Sequence, residues 1–175
     1  NLKISIVIPI YNEEKTVLNL QNQLKEFYND CEIIFVDGGS TDNTLNLINK
    51  KYTLIHSRKG RANQMNSGAK KSTGDVIFFL HCDSILPKNF MGEIKEVMKN
   101  HEFGCFGIKF RGKKSLLMSI CALISNHRAA VRKIAFGDQG IFIDRELFFL
   151  MGGFEDIPIM EDYNLYLRKK ILNSV

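Results

Sequence analysis

Four apolar, strand-like runs in the first hundred residues each give way to a stretch of helical period. That alternation limits the chain to an α/β fold with a mainly parallel central sheet flanked by helices. Residues 3–8 are β-branched and apolar and read as a buried first strand, closed by Pro9. Asn12 is expected to cap the next helix, with Glu13 and Glu14 in its first turn and Val17, Leu20, Leu24 and Phe27 on one face. Residues 32–36 form the second strand, and the turn at 37–42 opens a helix through Leu45 and Ile48. A third strand over 53–56 precedes a helical stretch at 60–72 with Ala62, Met65 and Ala69 inward. The fourth strand, 75–80, ends at His81-Cys82-Asp83, and Pro87 starts a helix with Phe90, Ile94 and Val97 inward.

Beyond residue 100 the pattern changes. Residues 104–110 and 140–143 read as strands, the second a candidate for antiparallel pairing. Residues 115–135 are mostly helical and turn basic at Arg128, Arg132 and Lys133, and 160–170 form a last helix. A length of 175 residues suits one domain. The end at Asn173-Ser174-Val175, straight after a charged helix, suggests that a C-terminal segment is missing; a natural terminus is the alternative.

Charge and composition narrow the partners. Lys and Arg number 24 against 19 Asp and Glu, a net charge of +5 that favours anionic partners such as nucleotides, phosphorylated lipids or membrane surfaces. No run of like charge argues for nucleic acid. With 45% hydrophobic residues the chain is not disordered. Cys31, Cys82, Cys105 and Cys121 show no paired spacing and read as reduced thiols. The first residues lack a signal peptide, and the longest apolar stretch, 116–124, is too short to span a bilayer. A cytoplasmic protein is expected, with peripheral contact to the inner face of a membrane through 115–133 as a further expectation.

Ligands of open α/β sheets bind outside the carboxyl ends of the strands. Here those ends carry Pro9-Ile10-Tyr11-Asn12-Glu13, Asp37-Gly38-Gly39-Ser40 and His81-Cys82-Asp83, three polar clusters that would meet in one crevice. No G-x-G-x-x-G follows the first strand, no phosphate-binding G-x-x-x-x-G-K-[ST] occurs, and no G-x-S-x-G elbow or zinc spacing is present.

The motifs that remain resemble the family 2 inverting glycosyltransferases, which have the GT-A-type fold for nucleotide-diphospho-sugar transfer. The matching residues are 6–14, 36–44, Asn66-Ser67-Gly68-Ala69, 74–83, Gly152-Gly153-Phe154 and Met160-Glu161-Asp162, in order across nearly the whole chain. Leu80-His81-x-Asp83 together with Gly137-Asp138-Gln139-Gly140 is most similar to a bacterial subgroup associated with radical-SAM and selenium-related genes. The resemblance implies a single catalytic domain over 1–175, with a nucleotide-binding half at 1–100 and an acceptor-side half at 101–175.

The same resemblance implies roles for particular residues. Pro9, Tyr11, Asn12 and Glu13 would border the base and ribose. Asp37 would accept an N–H of the base, with a turn aspartate bonding its own backbone as the alternative. Gly38 and Gly39 would let the backbone approach closely. Asp83 matches the second acid of the family's D-x-D metal motif, and His81 stands where the first acid belongs. Mg2+ or Mn2+ is expected at Asp83, since hard cations neutralise a diphosphate through carboxylate and phosphate oxygens. His81 is left open as a metal ligand, a hydrogen-bonding partner of phosphate or a packed histidine, and Arg61 as a cation for the diphosphate or a surface charge. Asp162 matches the base that deprotonates the acceptor hydroxyl, with Glu161 positioning it. Asp138 and Gln139 would lie near a sugar or form a plain turn. The expected function is sugar transfer from a nucleotide-diphosphate sugar to an unknown hydroxyl acceptor with inversion. A sugar-nucleotide pyrophosphorylase and a non-catalytic nucleotide-sugar binding module are the alternatives.

Overall fold

The computed structural model describes residues 2–106 and 140–155. Its elements, in chain order, are β1 (Ile4–Ile10), α1 (Val17–Leu24), β2 (Glu32–Asp37), α2 (Thr44–Leu47), β3 (Thr53–His56), α3 (Arg61–Lys71), β4 (Val76–Phe79), α4 (Phe90–Val97), β5 (Phe103–Cys105), β6 (Ile141–Asp144) and α5 (Arg145–Leu150). The six strands form one sheet in the order β3-β2-β1-β4-β6-β5. β1 to β4 are parallel, and β6 runs antiparallel to both β4 and β5.

Every residue of β1 is buried, which is why the run is apolar without alternation. Its even positions, Ile4 to Ile10, pack with Phe35, Phe78 and Phe142 against Leu20 and Leu24 of α1 and Phe90 and Ile94 of α4. On the opposite face Val7, Ile34, Val36 and Ile77 pack against Ala62, Met65 and Ala69 of α3 and Phe148 of α5. α3 lies close because Gly68 has no side chain: a Cβ there would meet Val7 Cγ1 at 2.3 Å and Val36 Cγ2 at 2.9 Å.

Three local expectations are corrected. Pro9 does not end the first strand but pairs within it, opposite Val36. The carbonyl of Val7 accepts from Leu80 N–H on the β4 side at 3.0 Å. By alternation Pro9 faces that same side, beyond the last position paired to β4, so its missing N–H leaves no gap. Asn12 does not cap α1, whose N-cap is Thr16; Glu13 and Glu14 precede the helix. α4 begins at Phe90, whose N–H bonds the carbonyl of Pro87, so Pro87 opens the approach rather than the helix. The stretches expected as helices at 115–135 and 160–170 lie outside the described residues.

Cys31, Cys82 and Cys105 are free thiols. Burial pushes Cys31 and Cys82 up to about 12 and Cys105 up to about 11, so they stay protonated and unreactive near neutrality. Among the described residues no helix is long and apolar enough to cross a membrane.

Candidate active site

The loops after β1 and β2 are bound to one another before any ligand arrives. Asn12 takes a left-handed φ of 54° and turns its side chain onto the second loop. Its Oδ1 accepts from Thr41 N–H at 2.8 Å, and its own N–H donates to Ser40 Oγ at 3.0 Å. The N–H of Glu13 donates to Thr44 Oγ1 at 2.7 Å, that of Glu14 to Asp42 Oδ2 at 3.2 Å, and that of Asn43 to Glu14 Oε2 at 3.2 Å. An asparagine tolerates this backbone because its short amide compensates locally.

Asp37 ends β2 and is buried. Its Oδ2 accepts from Gly39 N–H at 3.0 Å and faces His56 Nδ1 at 3.2 Å, and its Oδ1 accepts from Ser40 N–H at 2.9 Å. Burial alone would raise its pKa, but the hydrogen bonds from Ser40, Gly39 and His56 outweigh that and hold the carboxyl below the usual range. Folding therefore favours the ionised form. That contribution is complete above the ordinary aspartate pKa of about 4 and is lost as pH falls through the lowered value. Urea midpoints between about pH 5 and about pH 3 should fall less for Asp37→Asn than for the wild type. Equal losses would show that the turn does not depend on the charge.

Gln64, on α3, was given no role by sequence reasoning and is the buried tie of the region. Its Nε2 donates to Ile10 O at 2.7 Å and to Val36 O at 2.9 Å, joining the ends of β1 and β2. Gly38 is glycine for the same reason: a Cβ there would meet the Gln64 amide at 2.9 Å. Gly39, at φ 94°, faces open space. The only sequence signal for Gln64 is a polar residue beside the inward positions Ala62 and Met65. Tyr11, 37% exposed, presents its ring at the end of β1, and Lys59 Nζ lies 3.9 Å from the ring centroid.

The third strand end is joined to α3. Arg61 Nη2 lies 2.8 Å from His81 Nε2 and 3.2 Å from His81 Nδ1. The turn beyond is held by α1, where Gln23 Nε2 donates to Ser84 O at 3.1 Å and Gln23 Oε1 accepts from Leu86 N–H at 2.9 Å. Asp83 is exposed in this turn. Pro9, Tyr11, Asn12, Glu13, Asp37, Gly38 and Gly39 thus form one laced group, and Arg61 and His81 a second, linked to the first through α3 and Lys59. Asp138, Gln139, Glu161 and Asp162 lie outside the described residues.

Among the described residues no three His, Cys, Asp or Glu side chains gather to hold a metal by themselves. An exposed carboxylate such as Asp83 still fits a hard cation whose other ligands are phosphate oxygens and water. His81 does not fit as a ligand in this arrangement. A guanidinium only donates, so the ring nitrogen that meets Arg61 uses its lone pair there.

The crossover order, the helix on each face and the loops gathered at the carboxyl edge define a GT-A-like nucleotide-sugar transferase fold. Residues 5–145 match Glycosyl transferase family 2, and the chain belongs to that family. It is 29% identical over 130 residues to the poly-beta-1,6-N-acetyl-D-glucosamine synthase of Staphylococcus epidermidis, a match covering 67% of this chain and 31% of that protein. A mannosyltransferase from Pyrobaculum calidifontis, solved in complex with GDP-Man and Mn2+, superposes with a TM-score of 0.71 at 19% identity, over 94% of this chain and 50% of that one. Staphylococcus aureus TarS in complex with UDP-GlcNAc gives a TM-score of 0.71 at 20% identity, over 95% of this chain and 53% of that one. The matches therefore span from 31% to 53% of these proteins' lengths.

Proposed function

We propose that the chain carries the catalytic domain of an inverting glycosyltransferase that uses a nucleotide-diphosphate sugar and a hydroxyl acceptor. The observation that carries this reading is the preformed lacing of the loops after β1 and β2, beside the end of β4, in a chain whose residues 5–145 match the family. The base rests between the Tyr11 ring and the Asp37-Gly38-Gly39 turn, with Pro9, Asn12 and Glu13 along the ribose. Asp37 fixes the turn through its backbone bonds, and any base contact adds to that. The diphosphate lies across the second group, at Arg61, His81 and Asp83. Asp83 would hold Mg2+ or Mn2+, and the ion when bound supplies positive charge against the leaving diphosphate.

The acceptor oxygen attacks the anomeric carbon as the bond to the diphosphate oxygen breaks on the opposite face. Asp162 takes the hydroxyl proton and Glu161 positions it. The pattern Leu80-His81-x-Asp83 supports placement in the subgroup associated with radical-SAM and selenium-related genes. A cytoplasmic location, with residues 115–133 against the inner face of a membrane, is part of the same proposal; co-sedimentation with anionic liposomes at low salt tests the contact.

A thermal-shift series over UDP-sugars and GDP-sugars tests the function, followed by assay for released nucleoside diphosphate. One donor should stabilise the protein, by about 2.7 kcal/mol at 100 times its dissociation constant, and be consumed when an acceptor is supplied. No shift with any nucleotide sugar would overturn the reading. With the active donor, Asp83→Asn should abolish the gain in affinity given by Mn2+. An unchanged gain would remove Asp83 from the metal's ligands.

A further inference from the structure

We infer that Arg61, held against the His81 ring, meets the donor's diphosphate directly, so that nucleoside diphosphate binding here has a large part that needs no metal ion. The inference rests on the nucleotide-dependent transferase reading and deepens it. The family's first metal-binding acid is replaced in this chain by a histidine, and the structure shows what that histidine does. Its ring nitrogens lie 2.8 Å and 3.2 Å from Arg61 Nη2. A ring nitrogen that accepts from a guanidinium cannot also bind a cation, and a metal there would face the Arg61 charge. The substitution thus exchanges an acid that attracts a metal for an acceptor that orients a permanent cation.

Arginine suits the task. Its planar fork matches phosphate oxygens two at a time and remains charged at any working pH. Arg61 is exposed at the crevice while the His81 ring is half-buried at the end of β4, so the ring can steer the guanidinium without covering it. The segment that carries Arg61 is itself basic. No acid occurs from Asn43 to Gly74, a segment with seven Lys and Arg that include Arg58, Lys59 and Arg61. Lys59 is fixed nearby over the Tyr11 ring. Asp83 is the one acid in the turn that follows β4.

Calorimetric titration of the full chain with UDP and with GDP, each in EDTA and in Mn2+, tests this. At least one of the two should bind in EDTA, with affinity within about tenfold of that in Mn2+. Arg61→Gln should weaken the EDTA value tenfold or more with an unchanged unfolding temperature, since the side chain is exposed. His81→Ala should weaken it as well, and His81→Gln, which keeps an acceptor, should restore most of the loss. His81→Asp should move binding toward dependence on Mn2+. Wild-type binding seen only with Mn2+, or an Arg61→Gln affinity unchanged in EDTA, would overturn this inference and leave the transferase reading intact. Absence of binding by both nucleotides in both conditions would overturn the two together.

Discussion

Replacing Asp162 with asparagine is expected to lower turnover by about 10²–10⁴-fold while nucleotide affinity stays nearly constant. The substitution keeps the size of the side chain and removes its basicity. The approach to Asp162 starts from a fixed point. α5 is capped at Met151, and Gly152 and Gly153 follow with φ of 83° and 71°, a left-handed pair that ends the helix. The sequence places Pro158 next, which disfavours helix at the residue before it, and predicts a last helix over 160–170 that would open with Glu161 and Asp162. The positive end of a helix holds carboxylates ionised, which is the form a base requires. Initial rates with the active donor, set beside calorimetric affinity for the nucleoside diphosphate, separate the two effects. A normal rate would pass the role to Glu161 or Asp138.

Asn66→Ala is expected to destabilise the fold by about 1–3 kcal/mol and to lower turnover more than it raises the donor KM. Asn66 Nδ2 donates to Phe154 O at 2.8 Å, and Asn66 Oδ1 accepts from Phe154 N–H at 2.9 Å. One side-chain amide thus satisfies both backbone groups of a residue 88 positions away, as a neighbouring strand would. Alanine leaves both unpaired beside the Phe79, Phe148 and Phe154 rings, which stack within 5.3 Å of one another. The amide sits close to the turn: a Cβ at Gly153 would meet Asn66 Oδ1 at 2.7 Å. Because Phe154 begins the segment that leads to Asp162, a loosened clamp should appear in kcat first. Chemical denaturation and steady-state kinetics of the same variant check both parts. An equal rise in donor KM with constant kcat would place the clamp's effect on the nucleotide side instead.

The strands of the first hundred residues were legible because parallel, doubly covered strands leave continuous apolar runs such as Ile33-Ile34-Phe35-Val36. Helix α3 was legible from the inward spacing of Ala62, Met65 and Ala69. Contacts between distant loops were not. Asn12 ahead of two glutamates carries the local signature of a cap, and the bonds that overrule it come from residues 41 and 42, which propensity cannot see. Pro9 was read as a stop because its tolerance depends on where β4 ceases to pair. The sequence placed three polar clusters at strand ends, and the structure sets those ends on the adjacent strands β2, β1 and β4, with hydrogen bonds joining the first two clusters. The roles of Gln64 and of the Arg61–His81 contact were not legible, since both join elements that are separate in sequence.

The place of β6 in the sheet has a consequence for biosynthesis. β4 pairs with β1 on one side and with β6 on the other, and among the described strands β5 pairs with β6 alone. Until residues 141–144 have been made and have docked, the outer edge of β4 has no partner among these strands, and its Val76-Ile77-Phe78-Phe79 sequence is the kind that recruits foreign strands. The stretch before residue 100 is therefore not a folding unit by itself, because its strand β4 pairs with β6. A nascent chain that has completed β1 to β4 is still an open sheet, vulnerable to aggregation until its partner strand arrives.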